Sequence, residues 1–209
     1  MPRATPLPPD ERRAALIAAT EPLLEHFGRE VSTRRIAEAA GVAEGTIFRV
    51  FPTKEALIDA VCDQVVDLDP VCVEIAALDP GDDLQTRLTG AVAILQRRLR
   101  RIFSLFHALR SGARPPVDAA GFRAKQAGEI ERLNEVLVAL VEPDADRLRM
   151  PVAEAANAVR LLTLAMTHPM LGEPRPHEPY EIVDLVLHGI IRPLRTDADA
   201  GVPTGARTC

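Results

Sequence analysis

The chain has 209 residues, of which 26% are charged, and its formal net charge is −5. This length is enough for one or two domains with a sizeable core, and the overall charge excludes a uniformly basic nucleic-acid-binding surface. The charge is unevenly distributed, however. Residues 1–54 contain eight Lys or Arg and seven Asp or Glu, whereas the rest of the chain contains seventeen and twenty-three. Any attraction for an anionic partner must therefore be local to the N-terminal quarter.

The cysteines and the apolar runs indicate the compartment. Cys62, Cys72 and Cys209 form an odd set with no CxxC spacing, which argues against a disulfide framework or a zinc site. No apolar run approaches the ~18 residues that a membrane span needs, and the first residues lack an apolar signal core. We therefore expect a soluble cytoplasmic protein with no membrane partner. Cys62 and Cys72 flank one predicted helix and could form a redox switch, although such free cysteines are more often small core residues.

In chain order, the first elements are an arm and a helix. Four prolines in residues 1–9 predict a disordered arm. Apolar residues then recur at helical spacing after Asp10, a plausible N-cap, until Gly28 ends the helix.

A later helix is predicted to begin with Thr53 as its N-cap and to run toward Leu68. The dipeptide Asp69-Pro70 should break the chain there.

The remainder of the chain shows the same periodicity. Further helices are predicted along Leu84 to Leu109, Ile130 to Leu140, Val152 to Met166 and Val183 to Leu194, separated by turns rich in Pro, Gly and Asp. Because no segment alternates apolar and polar residues, no sheet is expected, and the tail at 196–209 is predicted to be disordered. The fold class predicted from the sequence is all-α.

The stretch "STRRIAEAAGVAEGTIFRVF" predicts two short helices that cross closely. Ser32 can cap the first helix, and Gly41 lies where a left-handed residue would end it. The second helix should bury Ile47 and direct Phe48 and Arg49 outward. This is the pattern of a helix-turn-helix, whose second helix enters the major groove of DNA. The alternative, an ordinary helical hairpin, does not explain the outward side chains.

From Asp10 to about Val61 the sequence resembles the DNA-binding domain of the TetR family of bacterial transcriptional regulators. The matching pieces are "STRRIAEAAGV", "GTIFRVF" and "PTKEAL". The resemblance implies a three-helix DNA-binding domain at 10–54, joined by a fourth helix to a larger helical ligand-binding and dimerisation domain at 55–195. It also implies a homodimer formed through the helices near 151–168 and 178–195, and a palindromic operator.

Physical arguments and the resemblance together suggest roles for individual residues. Hydroxyls and backbone N–H groups at a helix N-terminus suit a phosphate, and Arg49 could read a guanine, the alternative being a solvated or phosphate-bound arginine. The candidate DNA-binding residues are Ser32, Thr33, Arg34, Gly45, Thr46, Phe48, Arg49 and Lys54.

A small-molecule pocket is a separate hypothesis. Apolar and polar residues share the end of one long helix, namely Leu99, Phe103, Phe106, His107 and Arg110. They could line an effector pocket, or the aromatic residues could be core and Arg110 surface. The effector itself cannot be identified from the sequence.

No catalytic motif and no metal-ligand spacing was found, so neither an enzyme nor a cofactor is expected. The favoured function is a sequence-specific DNA-binding regulator, a repressor that a small-molecule effector releases from a palindromic double-stranded operator. The alternative is a constitutive or architectural helical DNA-binding protein without an effector.

Overall fold

The computed structural model describes residues 8–109, 119–171 and 175–189, with the backbone alone described at 119–126. All regular structure in these ranges is helical, which confirms the all-α prediction. The helices are α1 Pro9–Phe27, α2 Thr33–Ala39, α3 Glu44–Val50, α4 Lys54–Val66, α5 Asp69–Ala76, α6 Leu84–Leu109, α7 Ala119–Val141, α8 Val152–Thr167 and α9 Pro179–His188. Short 3-10 helices follow α1 at Gly28–Glu30 and α7 at Glu142–Arg147. No helix among the described residues is long and apolar enough to cross a membrane.

The first four helices share one apolar core. Leu16, Ile36 and Ile47 are fully buried, one each from α1, α2 and α3, and Ile58 of α4 joins them. Thr53 caps α4 as predicted, because its hydroxyl accepts a hydrogen bond from the backbone N–H of Ala56 at 3.0 Å.

The C-terminal end of α6 is part of this same core. Leu105 and Leu109 are buried among the side chains of α1 to α4. Arg101, one turn earlier on α6, forms an ion pair with Glu21 of α1. The long helix therefore connects the N-terminal helices to the rest of the molecule, a role that the sequence suggested for α4 alone.

The larger part of the molecule has two further apolar clusters. One joins α5, α6 and α7 around Ile75, Leu95 and Leu137. The other joins the N-terminal end of α6 to α8 and α9 around Leu88 and Ile182.

Several helix ends differ from the sequence prediction. The first helix starts at Pro9, not after Asp10, because proline suits the first helical position. Asp69-Pro70 begins a helix rather than only breaking one: α4 ends at Val66, and the N–H of Asp69 donates to the side chain of Asp67 at 3.0 Å.

The last described helix also differs from its predicted extent of 178–195. It ends at His188 because Gly189, with φ 71°, closes it. Residues 190–209 lie outside the described residues, as do residues 1–7 of the predicted arm.

Candidate DNA-binding surface and ligand cavity

The turn between α2 and α3 is fixed by local hydrogen bonds. Ser32 caps α2, its hydroxyl accepting from the N–H of Arg35 at 3.3 Å. At the other end, the N–H of Gly41 donates to the carbonyl of Glu38 at 3.2 Å and the N–H of Val42 to that of Ala37 at 3.0 Å. With φ 65° at Gly41, these two bonds make a Schellman ending, which confirms the predicted left-handed glycine.

Helix α3 presents most of its side chains to solvent. Only Ile47 is fully buried, whereas Phe48 is 51% exposed and Arg49 is exposed beside it. Thr46 is half-buried. Among the described residues, Arg49 has no hydrogen-bonding or ionic partner, so its guanidinium is free to bind a ligand outside the chain.

Gly45 has no structural need to be glycine. Its φ is not positive, and a Cβ built on it would meet nothing within 4 Å. Because glycine costs a helix about 1 kcal/mol relative to alanine, neither backbone conformation nor packing accounts for it. Close approach of another molecule to the backbone at this position would account for the glycine.

The N-terminus of α2 lies next to that of α3. Thr33 is half-buried, and its hydroxyl donates to the carboxylate of Glu44 in the first turn of α3. Arg34 is exposed and pairs with Glu38 at 3.0 Å, a surface pair of little energetic value. The structure thus places Ser32, Thr33 and Arg34 beside the exposed face of α3.

Lys54 has a different environment from the other candidates. Its ammonium donates to the backbone carbonyls of Arg29 at 2.8 Å and Val31 at 3.4 Å. In this conformation the amine connects the start of α4 to the segment after α1, so Lys54 has an internal structural role that the sequence did not suggest.

A cavity of about 460 Å³ lies in the larger part of the molecule, and its volume is typical of small-molecule sites. Its walls come from α4, α6, α7 and α8 and from the residue that precedes α5. They are predominantly apolar, formed by Val66, Leu68, Leu95, Leu99, Ile102, Phe103, Phe106, Ile130, Leu133 and Leu164. The polar residues of the lining are Asp63, Arg98, Glu129, Arg160 and Thr163.

Arg98 lies between the cavity and the end of α4. Its guanidinium donates to the carbonyl oxygens of Val66, the last residue of α4, and of Asp67, which follows it. Burial lowers the pKa of Arg98, while the nearby carboxylate of Glu129 acts in the opposite direction. The positive charge of Arg98 is therefore already balanced by groups of the protein.

Arg160 of α8 is held differently. Its Nε donates to the side-chain oxygen of Asn134 at 2.8 Å, and its Nη2 donates to that of Asn157 at 2.7 Å. Both acceptors are uncharged amides. Among the described residues no carboxylate pairs with Arg160, and its Nη1 has no partner.

The structure brings three of the five predicted pocket residues together at this cavity. Leu99, Phe103 and Phe106 line the cavity, but His107 does not and is exposed. The cavity-lining residues of α6 occupy one face of the helix, and position 107 falls beyond the edge of that face because successive helical residues are turned by about 100°. Arg110 lies outside the described residues.

Sequence reasoning missed Arg98, Glu129 and Arg160, because a charged residue on an amphipathic helix ordinarily lies in solvent. The sequence carries one signal that could have found Arg98. It lies on the apolar face of α6, between Leu95 and Ile102.

The cysteines in the described residues are unpaired. Cys62 is half-buried against the core of α1 to α4, and burial, followed by the charge of Asp59, raises the pKa of its thiol to about 11. Because the thiolate is the reactive form, this environment favours a core role over a redox switch. Within the described residues, no group of three or more His, Cys, Asp or Glu could hold a metal ion.

Comparisons with known proteins agree with this geometry. Residues 16–61 match the sequence model of the bacterial regulatory proteins of the tetR family. The HTH-type transcriptional regulator EthR of Mycobacterium tuberculosis is 32% identical over 74 residues, which are 35% of this chain and 34% of that protein. The match thus spans about a third of the length of these curated relatives.

Solved structures extend the similarity to the whole fold. A TetR/AcrR-family regulator from Thermobifida fusca superimposes with a TM-score of 0.63 at 19% identity, covering 87% of this chain and all of that one. NalD from Pseudomonas aeruginosa, described as a secondary repressor of a multidrug efflux pump, gives a TM-score of 0.54 at 21% identity, covering 88% and 100%. Residues 16–61, which form the helix-turn-helix, thus match the tetR family of bacterial regulatory proteins, and the chain shares the all-helical fold of these solved structures.

Proposed function

We propose that this protein is a transcriptional repressor that binds a palindromic double-stranded operator as a homodimer and is released by a small molecule. The observation that carries the proposal is the exposed face of α3, where Gly45 leaves the backbone accessible beside Phe48 and the unpartnered Arg49. Such a helix suits the major groove. Selection of bound DNA from a random pool by the purified protein tests the proposal, because it reports binding, palindromy and half-site spacing together.

The proposed DNA contacts are of two kinds: contacts to phosphates, which position the protein, and contacts to bases, which recognise the sequence. The hydroxyls of Ser32 and Thr46 would bind phosphate oxygens, which fix the orientation of the protein without reading sequence. The hydroxyl of Thr33 has one proton, so it would join them by exchanging its bond to Glu44 for one to a phosphate. Arg49 would read a guanine through its O6 and N7 atoms, and Phe48 would contact a thymine methyl group or a sugar.

Arg34 and Lys54 complete the proposed contacts. Arg34 could exchange its weak surface pair with Glu38 for a phosphate or a base edge. The Lys54 ammonium has three hydrogens and uses two on backbone carbonyls, so one remains for a phosphate.

Arg49→Ala is expected to weaken operator binding by about 1–3 kcal/mol and to relax the preference at one base position in each half-site. Titration of the variant against the operator and single-base variants of it measures both effects. Arg97→Ala is a suitable control, since Arg97 is exposed on α6 and pairs with Glu74 far from α3 in the sequence. Equal losses on operator and random DNA would show that Arg49 contacts phosphate only.

Homodimerisation follows from the size of the DNA-reading element. One helix of seven residues reads too few base pairs for specificity, so two copies must act together, about 34 Å apart or a multiple of it. Helices α8 and α9 supply a suitable surface, because each exposes a large hydrophobic side chain, Leu161 on α8 and the aromatic ring of Tyr180 on α9. We assign the dimer contact to these two helices, which would pair with their copies as a four-helix bundle.

Release by an effector would use α6. One face of this helix lines the cavity through Leu99 and Phe103, and its last turns carry Leu105 and Leu109 into the core of the DNA-binding helices. A ligand that shifts α6 would therefore alter the packing of α1. Arg98 adds a second connection, because it joins the cavity wall to the end of α4.

This mechanism makes a reciprocal prediction. A ligand that binds the cavity should lower operator affinity by about 5–150-fold, and saturating operator should lower the affinity of the ligand by the same factor. Fluorescence anisotropy on labelled operator, with and without ligand, and calorimetric ligand titration, with and without operator, measure the two sides. A cavity ligand that leaves operator affinity unchanged would instead favour a constitutive or architectural DNA-binding protein.

A further inference from the structure

We infer that the cavity ligand is an amphipathic carboxylate whose charged head binds Arg160. The inference rests on the proposed function, since it names the chemical class of the proposed effector. It begins from the composition of the cavity, in which a predominantly apolar wall carries few polar groups. An apolar body would fill most of this volume, and the polar groups would determine which head group it carries.

The charged groups of the cavity are not equivalent. The charge of Arg98 faces Glu129 and two backbone carbonyls, so it is balanced before any ligand enters. Arg160, in contrast, is held by two asparagine side chains, which fix the plane of its guanidinium but cancel none of its charge. Arg160 is therefore oriented by neutral partners beside apolar walls, and no described carboxylate is bonded to it, so its positive charge is available for a ligand to neutralise.

A carboxylate fits this arrangement better than a cation or a neutral group. Arginine binds carboxylates through charge-assisted hydrogen bonds, which are about twice as strong as neutral ones. The apolar surroundings strengthen the attraction further, because a low dielectric screens it less. A cationic head would be repelled by Arg160. Of the two carboxylates in the lining, Glu129 already has Arg98 as a partner and Asp63 is exposed to solvent. An amide could accept a hydrogen bond from Arg160 but would leave its charge unbalanced.

The test uses the full-length protein and matched probes that differ only in the head group. Octanoate, decanoate and dodecanoate supply the carboxylate series, and decanamide and decanol are the uncharged counterparts of decanoate. Calorimetric titration should show decanoate binding about tenfold or more tightly than decanamide. Arg160→Gln should abolish that preference while leaving the affinity for decanamide within about threefold. Arg97→Gln, which changes an exposed arginine outside the cavity lining, should retain it.

A second variant guards against a merely structural effect of losing Arg160. Asn157→Asp keeps the shape of the side chain and leaves Arg160 in place, but it replaces the neutral amide that Arg160 contacts with a carboxylate. It should therefore remove the preference for decanoate without removing the arginine. The inference is wrong if decanamide binds wild type as tightly as decanoate, if no acid of the series binds, or if Asn157→Asp retains the preference.

Operator binding, measured on the same samples, separates this inference from the proposed function. If decanoate binds through Arg160 but operator affinity does not change, the ligand class is supported and effector release is contradicted. If the decanoate preference is absent while the protein still binds a palindromic operator, the regulator proposal is supported and the ligand class is contradicted.

Discussion

Leu161→Asp is expected to convert the protein into monomers whose affinity for a palindromic operator falls to the level of non-specific binding. Leu161 is 47% exposed on α8, and a carboxylate there would have to be buried, together with its copy, across the proposed two-fold axis. Burying an unpaired charge costs several kcal/mol, which is enough to dissociate an ordinary dimer. Light scattering at micromolar concentration measures the assembly state, and anisotropy measures operator binding.

A charge at Leu161 tests assembly rather than folding, because that side chain is exposed in the monomer. Val186 of α9 belongs to the core shared by α6, α8 and α9, so a charge at that residue would damage the monomer. Val73 provides the matched control, since it is an apolar side chain, 69% exposed, on α5. Val73→Asp should leave both assembly and operator binding unchanged. A wild-type protein that is monomeric at micromolar concentration would contradict the dimer proposal.

The helix-turn-helix could be predicted from the sequence because its determinants are local. Ser32 and Thr53 cap the helices that follow them within three residues, and Gly41 ends α2 through bonds that span only a few positions. Each of these short helices also has one apolar face, so its apolar residues can be buried in only one way. Local signals of this kind depend little on the rest of the fold.

Most of the features that were missed depend on contacts between distant parts of the chain. The position of Lys54 follows from carbonyls more than twenty residues away, and that of Arg160 from Asn134 on another helix. The spacing of residues in the sequence indicates neither the carbonyls that Lys54 contacts nor the pairing of Arg160 with Asn134. The start of α5 was missed for another reason: an Asp-Pro dipeptide is compatible both with the end of one helix and with the first turn of the next.

The junction between α1 and α6 depends on one glycine. Gly28 ends α1 with φ 54° and ψ −145°, a conformation that side chains rarely adopt. A Cβ at Gly28 would lie 2.7 Å from the carbonyl oxygen of Ala108, which belongs to the last turn of α6. Because this neighbour is backbone, it cannot rotate away. The glycine therefore permits the contact through which α6 meets the DNA-binding helices.

Gly28→Ala is accordingly expected to lower the free energy of unfolding by about 3 kcal/mol or more, since backbone strain and displacement of α6 add together. Gly41→Ala is the matched control: its φ is also positive, at 65°, but a Cβ there would meet nothing within 4 Å. Strain alone should cost that variant about 1–2 kcal/mol. Urea unfolding of both variants measures the difference, which combines the contact with Ala108 and the additional strain of ψ −145° at Gly28. Equal losses in the two variants would show that the end of α6 does not contact Gly28 closely in solution. The proposed route from the cavity to helices α1 to α4 would then have to pass through Arg98 and the end of α4.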